Sequence, residues 1–232
     1  MSRARLEVFP TAEAAADAAA GALIAQLKPS GERRLLVTGG RGPGPVYDRL
    51  ADADLDWARI TVTLSDDRFV DSASGDSNER LVSERLLRGR AAAARFVPLK
   101  DDGATPDDDA VRAEPAIRAL LPFDAAILGM GDDGHIASLF PGAPGLSAAL
   151  DPDGGRLVVG VAEAGMAPYL PRISLTGRAL FDARLIVLLV GGAAKRALIE
   201  RAAADPAFAP PVTALLNQER APVRILWSPG DA

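Results

Sequence analysis

The chain has 232 residues, with 26 Lys plus Arg against 31 Asp plus Glu, a formal net charge of −5, no cysteine and one histidine, His135. Without a thiol there is no cysteine nucleophile, disulfide framework, thiolate zinc site or iron–sulfur cluster, and any imidazole chemistry belongs to His135. Interspersed charges with an acidic excess argue against a nucleic-acid or anionic-membrane face, so an anionic ligand would need a locally basic pocket.

A chain of this length with 48% apolar residues can build a real core, and one domain spanning 1–232 is expected. The alanine-rich stretch 11–28 carries Glu13 and Asp17 where a signal peptide needs an unbroken apolar run. It reads as an amphipathic helix. No run of about 18 apolar residues exists to span a membrane, and a cytoplasmic location is expected. Apolar, β-branched runs at 33–38 (RRLLVT), 59–64 (RITVTL), 124–128 (DAAIL), 184–190 (RLIVLLV) and 223–227 (VRILW) read as strands. Helical patterns fall at 43–50, 77–87, 107–120, 176–181 and 193–204. The alternation predicts an α/β fold, a doubly wound, mainly parallel sheet with helices on both faces. The polar segment 101–109 (DDGATPDDD) reads as a surface connection.

In such sheets ligands bind beyond the strand C-termini, where the strand order reverses. Four loops in those positions are unusual. In 39–45 (GGRGPGP), Gly39 and Gly40 lead into a helix, so backbone N–H groups can cradle a phosphate, with Arg41 as an added cation; a plain turn is the bland reading. In 65–68 (SDDR), the Arg68 fork can hold a phosphate or a developing oxyanion while Asp66 and Asp67 aim it. Downstream, Asp76 to Glu79 has capping-box spacing, which makes those two residues structural and leaves Asn78 unassigned.

The third loop, 129–141 (GMGDDGHIASLFP), formally satisfies GxGxxG, the dinucleotide fingerprint. Asp132 and Asp133 sit where a pyrophosphate would approach the backbone, and that like charge argues against a nicotinamide site. Asp133 two residues before His135 instead suits a base held in one tautomer by an acidic partner. Met130 and Phe140 read as loop packing. In 191–195 (GGAAK), Lys195 stands in the first turn of a helix, where the macrodipole favours anions, so it is expected to face an anionic ligand. It is one of only three lysines, with Lys28 and Lys100. Arg172 in PRIS is a weaker candidate alone.

Taken in order, these loops resemble the 6-phosphogluconolactonase family: GG-x-x-P (Gly39, Gly40, Pro43), SD-x-R (Ser65, Asp66, Arg68), DSN (Asp76, Ser77, Asn78), GMG-x-DGH-x-ASLFPG from Gly129 to Gly142, Pro-Arg-Ile (Pro171, Arg172, Ile173) and G-x-x-K (Gly192, Lys195). Thr38 stands where the family usually has serine, Arg41 and Gly42 replace small hydroxyl residues, and Asp67 replaces a glutamate. Ile136 matches the DGHIA of the related glucosamine-6-phosphate deaminases, which otherwise continue with Asn-Glu-Pro and have tyrosine where Arg68 stands.

The resemblance implies the glucosamine-6-phosphate deaminase-like, Rossmann-like fold and hydrolysis of 6-phospho-D-glucono-1,5-lactone to 6-phosphogluconate in the oxidative pentose phosphate pathway, without metal or organic cofactor. His135, Asp133 and Arg68 are then the catalytic candidates. Thr38, Gly39, Gly40, Arg41, Asp66, Arg172 and Lys195 are the candidates for substrate and phosphate binding. The expected partner is the sugar-phosphate lactone, with no nucleic acid or membrane, and the chain a monomer or weak homo-oligomer. A glucosamine-6-phosphate deaminase/isomerase and a non-catalytic sugar-phosphate sensor are the alternatives.

Overall fold

The computed structural model describes residues 4–101, 103–205 and 207–230. In chain order the strands are β1 (Ala4–Val8), β2 (Arg33–Val37), β3 (Ile60–Leu64), β4 (Asp66–Arg68), β5 (Arg95–Val97), β6 (Ala125–Leu128), β7 (Val158–Val161), β8 (Arg172–Leu175), β9 (Ile186–Gly191) and β10 (Val223–Ser228). The helices are α1 (Ala12–Leu27), α2 (Gly44–Ala51), α3 (Asn78–Arg85), α4 (Pro106–Leu120), α5 (Leu146–Leu150), α6 (Gly177–Leu180), α7 (Ala193–Ala204) and α8 (Val212–Asn217).

Seven strands form one parallel sheet in the order β1-β10-β9-β6-β2-β3-β5. From β2 the chain winds outward through β3 to β5, then returns on the other side through β6, β9 and β10. The reversal lies between β2 and β6, and the loops after those two strands are the ones richest in glycine. The sheet is covered on both faces, which is why β6 reads AAIL and β9 IVLLVG, every residue buried. Helix α1 packs through small side chains, burying Ala15, Ala16, Ala19, Ala20 and Ala22 with Leu23 and Leu27. Its N-cap, Thr11, accepts the Ala14 amide at 3.1 Å.

The five expected strands and six expected helices are all present, shifted by one or two residues, and the parallel α/β class holds. Three readings need correction. The segment 65–68 is not simply a loop: Asp66 to Arg68 form β4, which pairs antiparallel with β8, itself paired with β7, in a second, three-stranded sheet. Capping of α3 falls to Ser77, whose hydroxyl accepts the Arg80 amide at 3.3 Å, so the Asp76–Glu79 box does not form. The stretch 101–109 is part connection and part helix. Its Asp109 is wholly buried in α4, accepting the amides of Asp101 and Gly103 at 3.0 and 2.8 Å, while Asp102 lies outside the described residues. No helix among the described residues is long and apolar enough to cross a membrane.

Candidate active site

A cleft of ≈ 330 Å³ opens over the reversal point and draws on both sheets. Thr38, Gly39, Gly40 and Arg41 line it from the β2–α2 loop, Asp66 and Arg68 from β4, Asn78 from α3, Gly129 to Asp132 and His135 from the loop after β6, Arg172 from β8 and Lys195 from α7. Asp133 reaches the site through His135. The structure therefore gathers every candidate named from the sequence. Four cations stand against two carboxylates in the lining, Asp66 and Asp132, which reverses the sign of the overall charge.

The His135 loop is tightly folded. The Gly131 amide donates to the His135 carbonyl at 3.0 Å and the Gly134 amide to the Gly131 carbonyl at 3.1 Å. The imidazole lies directly over Gly131: a Cβ there would sit 2.1 Å from its Nδ1, so only glycine lets the ring fold back. Asp133 Oδ1 is 2.6 Å from His135 Nδ1 and also accepts the His135 amide at 3.1 Å. With Nδ1–H donated to this carboxylate, Nε2 is the basic nitrogen. Phe140, expected as loop packing, is buried and does more: its ring centroid is 4.7 Å from the imidazole and 5.6 Å from the Arg172 guanidinium carbon. Met130 is buried and also lines the cleft.

Opposite stand the two arginines of the small sheet. Arg68 and Arg172 are direct cross-strand partners, a like-charge arrangement that is unfavourable by itself. Arg172 is 4% exposed, and burial, then the neighbouring Arg68, push its guanidinium below the usual arginine value. Its Nη2 donates to the Pro168 carbonyl at 3.0 Å; Arg68 Nη1 donates to the Asp76 carbonyl and Asn78 Oδ1 at 2.8 and 3.0 Å. Both Nε atoms are buried without a hydrogen-bond partner among the described residues. An unpaired buried N–H on a charged group is costly, and an anion in the cleft would offset the like charge of the two guanidiniums.

The glycine loop forms the rim of the cleft. No hydrogen bond among the described residues takes up the amides of Gly39 or Gly40. The turn that carries them is anchored by Tyr47, whose buried hydroxyl donates to the Thr38 carbonyl and accepts the Thr38 amide at 3.0 Å. Burial pushes the Tyr47 phenol far above its usual value, so it stays protonated. The Thr38 hydroxyl is tied to Ser65 Oγ at 3.1 Å. Asp66 accepts from Ser65 and Ser138 at 2.8 and 2.6 Å, a buried carboxylate with both oxygens engaged. Lys195 Nζ stands 3.4 Å from Asp132 Oδ1. Sequence reasoning missed Ser138, whose bonds to Asp66 and Ser174 span 72 and 36 positions, and left Asn78 open, because its bonds to Arg68 and Asp66 depend on how the intervening turn folds.

A parallel sheet with an imidazole–carboxylate pair and a cationic cleft at its reversal point defines an enzyme for a small anionic substrate. The family described as glucosamine-6-phosphate isomerases/6-phosphogluconolactonase matches residues 10–227, and the chain belongs to that family. A 6-phosphogluconolactonase of Caulobacter vibrioides is 48% identical over 228 residues, 97% of each chain. One of Pseudomonas aeruginosa is 42% identical over 214 residues, 90% of this chain and 87% of the relative. Among solved structures, a 6-phosphogluconolactonase from Shewanella baltica matches with a TM-score of 0.85 at 33% identity, over 96% of this chain and 97% of that one. A monomeric glucosamine-6-phosphate deaminase, with a TM-score of 0.79 at 18% identity over 97% of both chains, shares the fold. The expected family, fold class and enzymatic character all hold.

Proposed function

We propose that the chain, a single cytoplasmic domain acting as a monomer or weak homo-oligomer, hydrolyses 6-phospho-D-glucono-1,5-lactone to 6-phosphogluconate. One observation carries this reading: a carboxylate-held imidazole shares a cleft with two neighbouring guanidiniums whose like charge calls for an anion between them. His135 Nε2 removes a proton from the water that attacks the lactone carbonyl. The resulting imidazolium, steadied by Asp133, returns that proton to the ring oxygen as the C–O bond breaks. Base and acid are the same nitrogen, so no covalent intermediate is needed; such proton transfer contributes about a hundred- to ten-thousandfold.

The substrate presents two centres of negative charge, the phosphate and the oxyanion that develops on the carbonyl. Arg172, Lys195 and the Gly39–Gly40 amides take the phosphate, with Arg41 at the rim. Arg68 takes the oxyanion. The reactive lactone opens unaided, so the phosphate contacts supply specificity. The test is the rate of lactone disappearance, with lactone generated in situ, corrected for spontaneous opening. Accelerated loss with no ammonia released from glucosamine 6-phosphate supports the proposal. Ammonia release without lactone acceleration would mean a deaminase, and binding of 6-phosphogluconate without either activity would mean a sensor.

A further inference from the structure

Asp67, adjacent to the proposed oxyanion donor but absent from the cleft lining, is wholly buried and is the most heavily coordinated carboxylate near the site. Its Oδ1 accepts the amides of Arg68 and Asn78 at 2.7 and 2.6 Å. Its Oδ2 accepts the Ser77 hydroxyl at 3.2 Å and the Glu79 amide at 3.3 Å, and lies 2.8 Å from Lys100 Nζ. Lys100, one of three lysines in the chain, is also engaged by the Val70 carbonyl at 2.9 Å and Ser77 Oγ at 3.2 Å. Those three acceptors match the three N–H groups of an ammonium, whose compact charge an arginine fork would not reproduce.

The consequence reaches the cleft through Asn78. Asp67 holds the first amides of α3, and this fixes the Asn78 side chain, which donates to the Asp66 carbonyl at 2.9 Å and accepts from Arg68 Nη1 at 3.0 Å. Asn78 is seated so closely on the glycine loop that a Cβ on Gly39 would lie 1.9 Å from its Oδ1. Arg68 is thus gripped at both ends, its backbone amide by Asp67 and its Nη1 by Asn78, which fixes the guanidinium in the cleft lining.

We propose that the buried Asp67–Lys100 pair is a positioning device that acts through Asn78 to aim the Arg68 guanidinium at the reacting carbonyl; this rests on the lactonase reading. The chemistry fits, because a misplacement of about 1 Å at a charge-stabilising donor costs up to about a hundredfold in rate. It also explains why a lysine is drawn inside where no substrate contact needs it.

The experiment compares kcat, KM and 6-phosphogluconate affinity in the wild type, Lys100→Met, Arg68→Met and the double variant. Binding stoichiometry from calorimetry gives the folded, active fraction. Lys100→Met is expected to lower kcat by about ten- to a hundredfold while product affinity stays close to that of the wild type. In the Arg68→Met background it should lower kcat no further. Unchanged kcat in Lys100→Met, full additivity in the double variant, or equal losses in kcat and product affinity would overturn the proposal. Should Lys100→Met fail to fold, Asn78→Ala tests the same link, with the same loss and the same non-additivity required. A wild type that does not accelerate lactone loss sinks the lactonase reading and the proposal together, whereas an active wild type and impaired Arg68→Met beside a fully active Lys100→Met sinks the proposal alone.

Discussion

The seven-stranded sheet and the three-stranded sheet meet at one cleft but serve it by opposite means. In the large sheet the strands are apolar and the chemistry lies beyond their ends: Gly39 and Gly40 follow β2, His135 follows β6, and Lys195 follows β9. In the small sheet the chemistry is on the strands themselves, with Arg68 and Arg172 as ladder partners and Asp66 and Asp67 buried beside them. Function and stability are therefore separable in the first and opposed in the second. A like-charge pair with Arg172 buried, and with neither Nε–H partnered among the described residues, persists because the neighbouring ladders and the Asp67 network hold it in place.

Substitutions on the two sides should fail differently. His135→Ala has the largest expected effect, a loss of about a hundred- to ten-thousandfold in kcat with 6-phosphogluconate still bound, checked by steady-state kinetics and calorimetry. Leu188→Ala, in the buried strand β9 between Leu128 and Ile225, should cost about 2–5 kcal/mol in urea unfolding and leave KM of the folded fraction unchanged. Arg172→Leu reverses that pattern. It should raise KM by about tenfold or more through a lost charge-assisted contact worth about 1.5–3 kcal/mol, while the ligand-free protein melts no lower than the wild type because the like-charge pair is gone.

The smallest effect belongs to the outer edge of the large sheet, where Arg224 hydrogen-bonds Glu7 at 2.7 Å and holds its carboxyl below the usual glutamate value. Because the folded value is the lower one, this stabilisation is present above the unfolded value and is lost as the pH falls through the folded value. Glu7→Gln should cost about 0–1 kcal/mol near neutrality, and acid titrations of the two proteins should converge. A larger loss would mean that the sheet edge matters more than its exposure indicates.

The same contrast explains what could be read in advance. Long apolar runs such as 184–190 announce buried parallel strands, and the glycines beyond them mark the loops. The strand β4, DDR, has no apolar residue, and β8, RISL, alternates over only four residues; each exists because it pairs with the other, far away in the chain. The short helices α5 and α8 and the edge strands β1 and β5 likewise lacked a local signal strong enough to stand alone. His135 and Asp133 were legible because they are each other's partners two positions apart, and Lys195 because its place in the first turn of α7 is itself a local signal. Asn78, Ser138 and Lys100 were not, since each acquires its role from residues between 10 and 72 positions away.

The division of labour between the sheets is tested most directly by the ratio of kcat/KM for 6-phosphogluconolactone to that for unphosphorylated glucono-1,5-lactone, measured in the wild type, His135→Ala and Arg172→Leu. The ratio should survive in His135→Ala, where both substrates lose the base, and collapse in Arg172→Leu, where only the phosphorylated one loses a contact. An unchanged ratio in Arg172→Leu, or an equal collapse in both variants, would contradict that division.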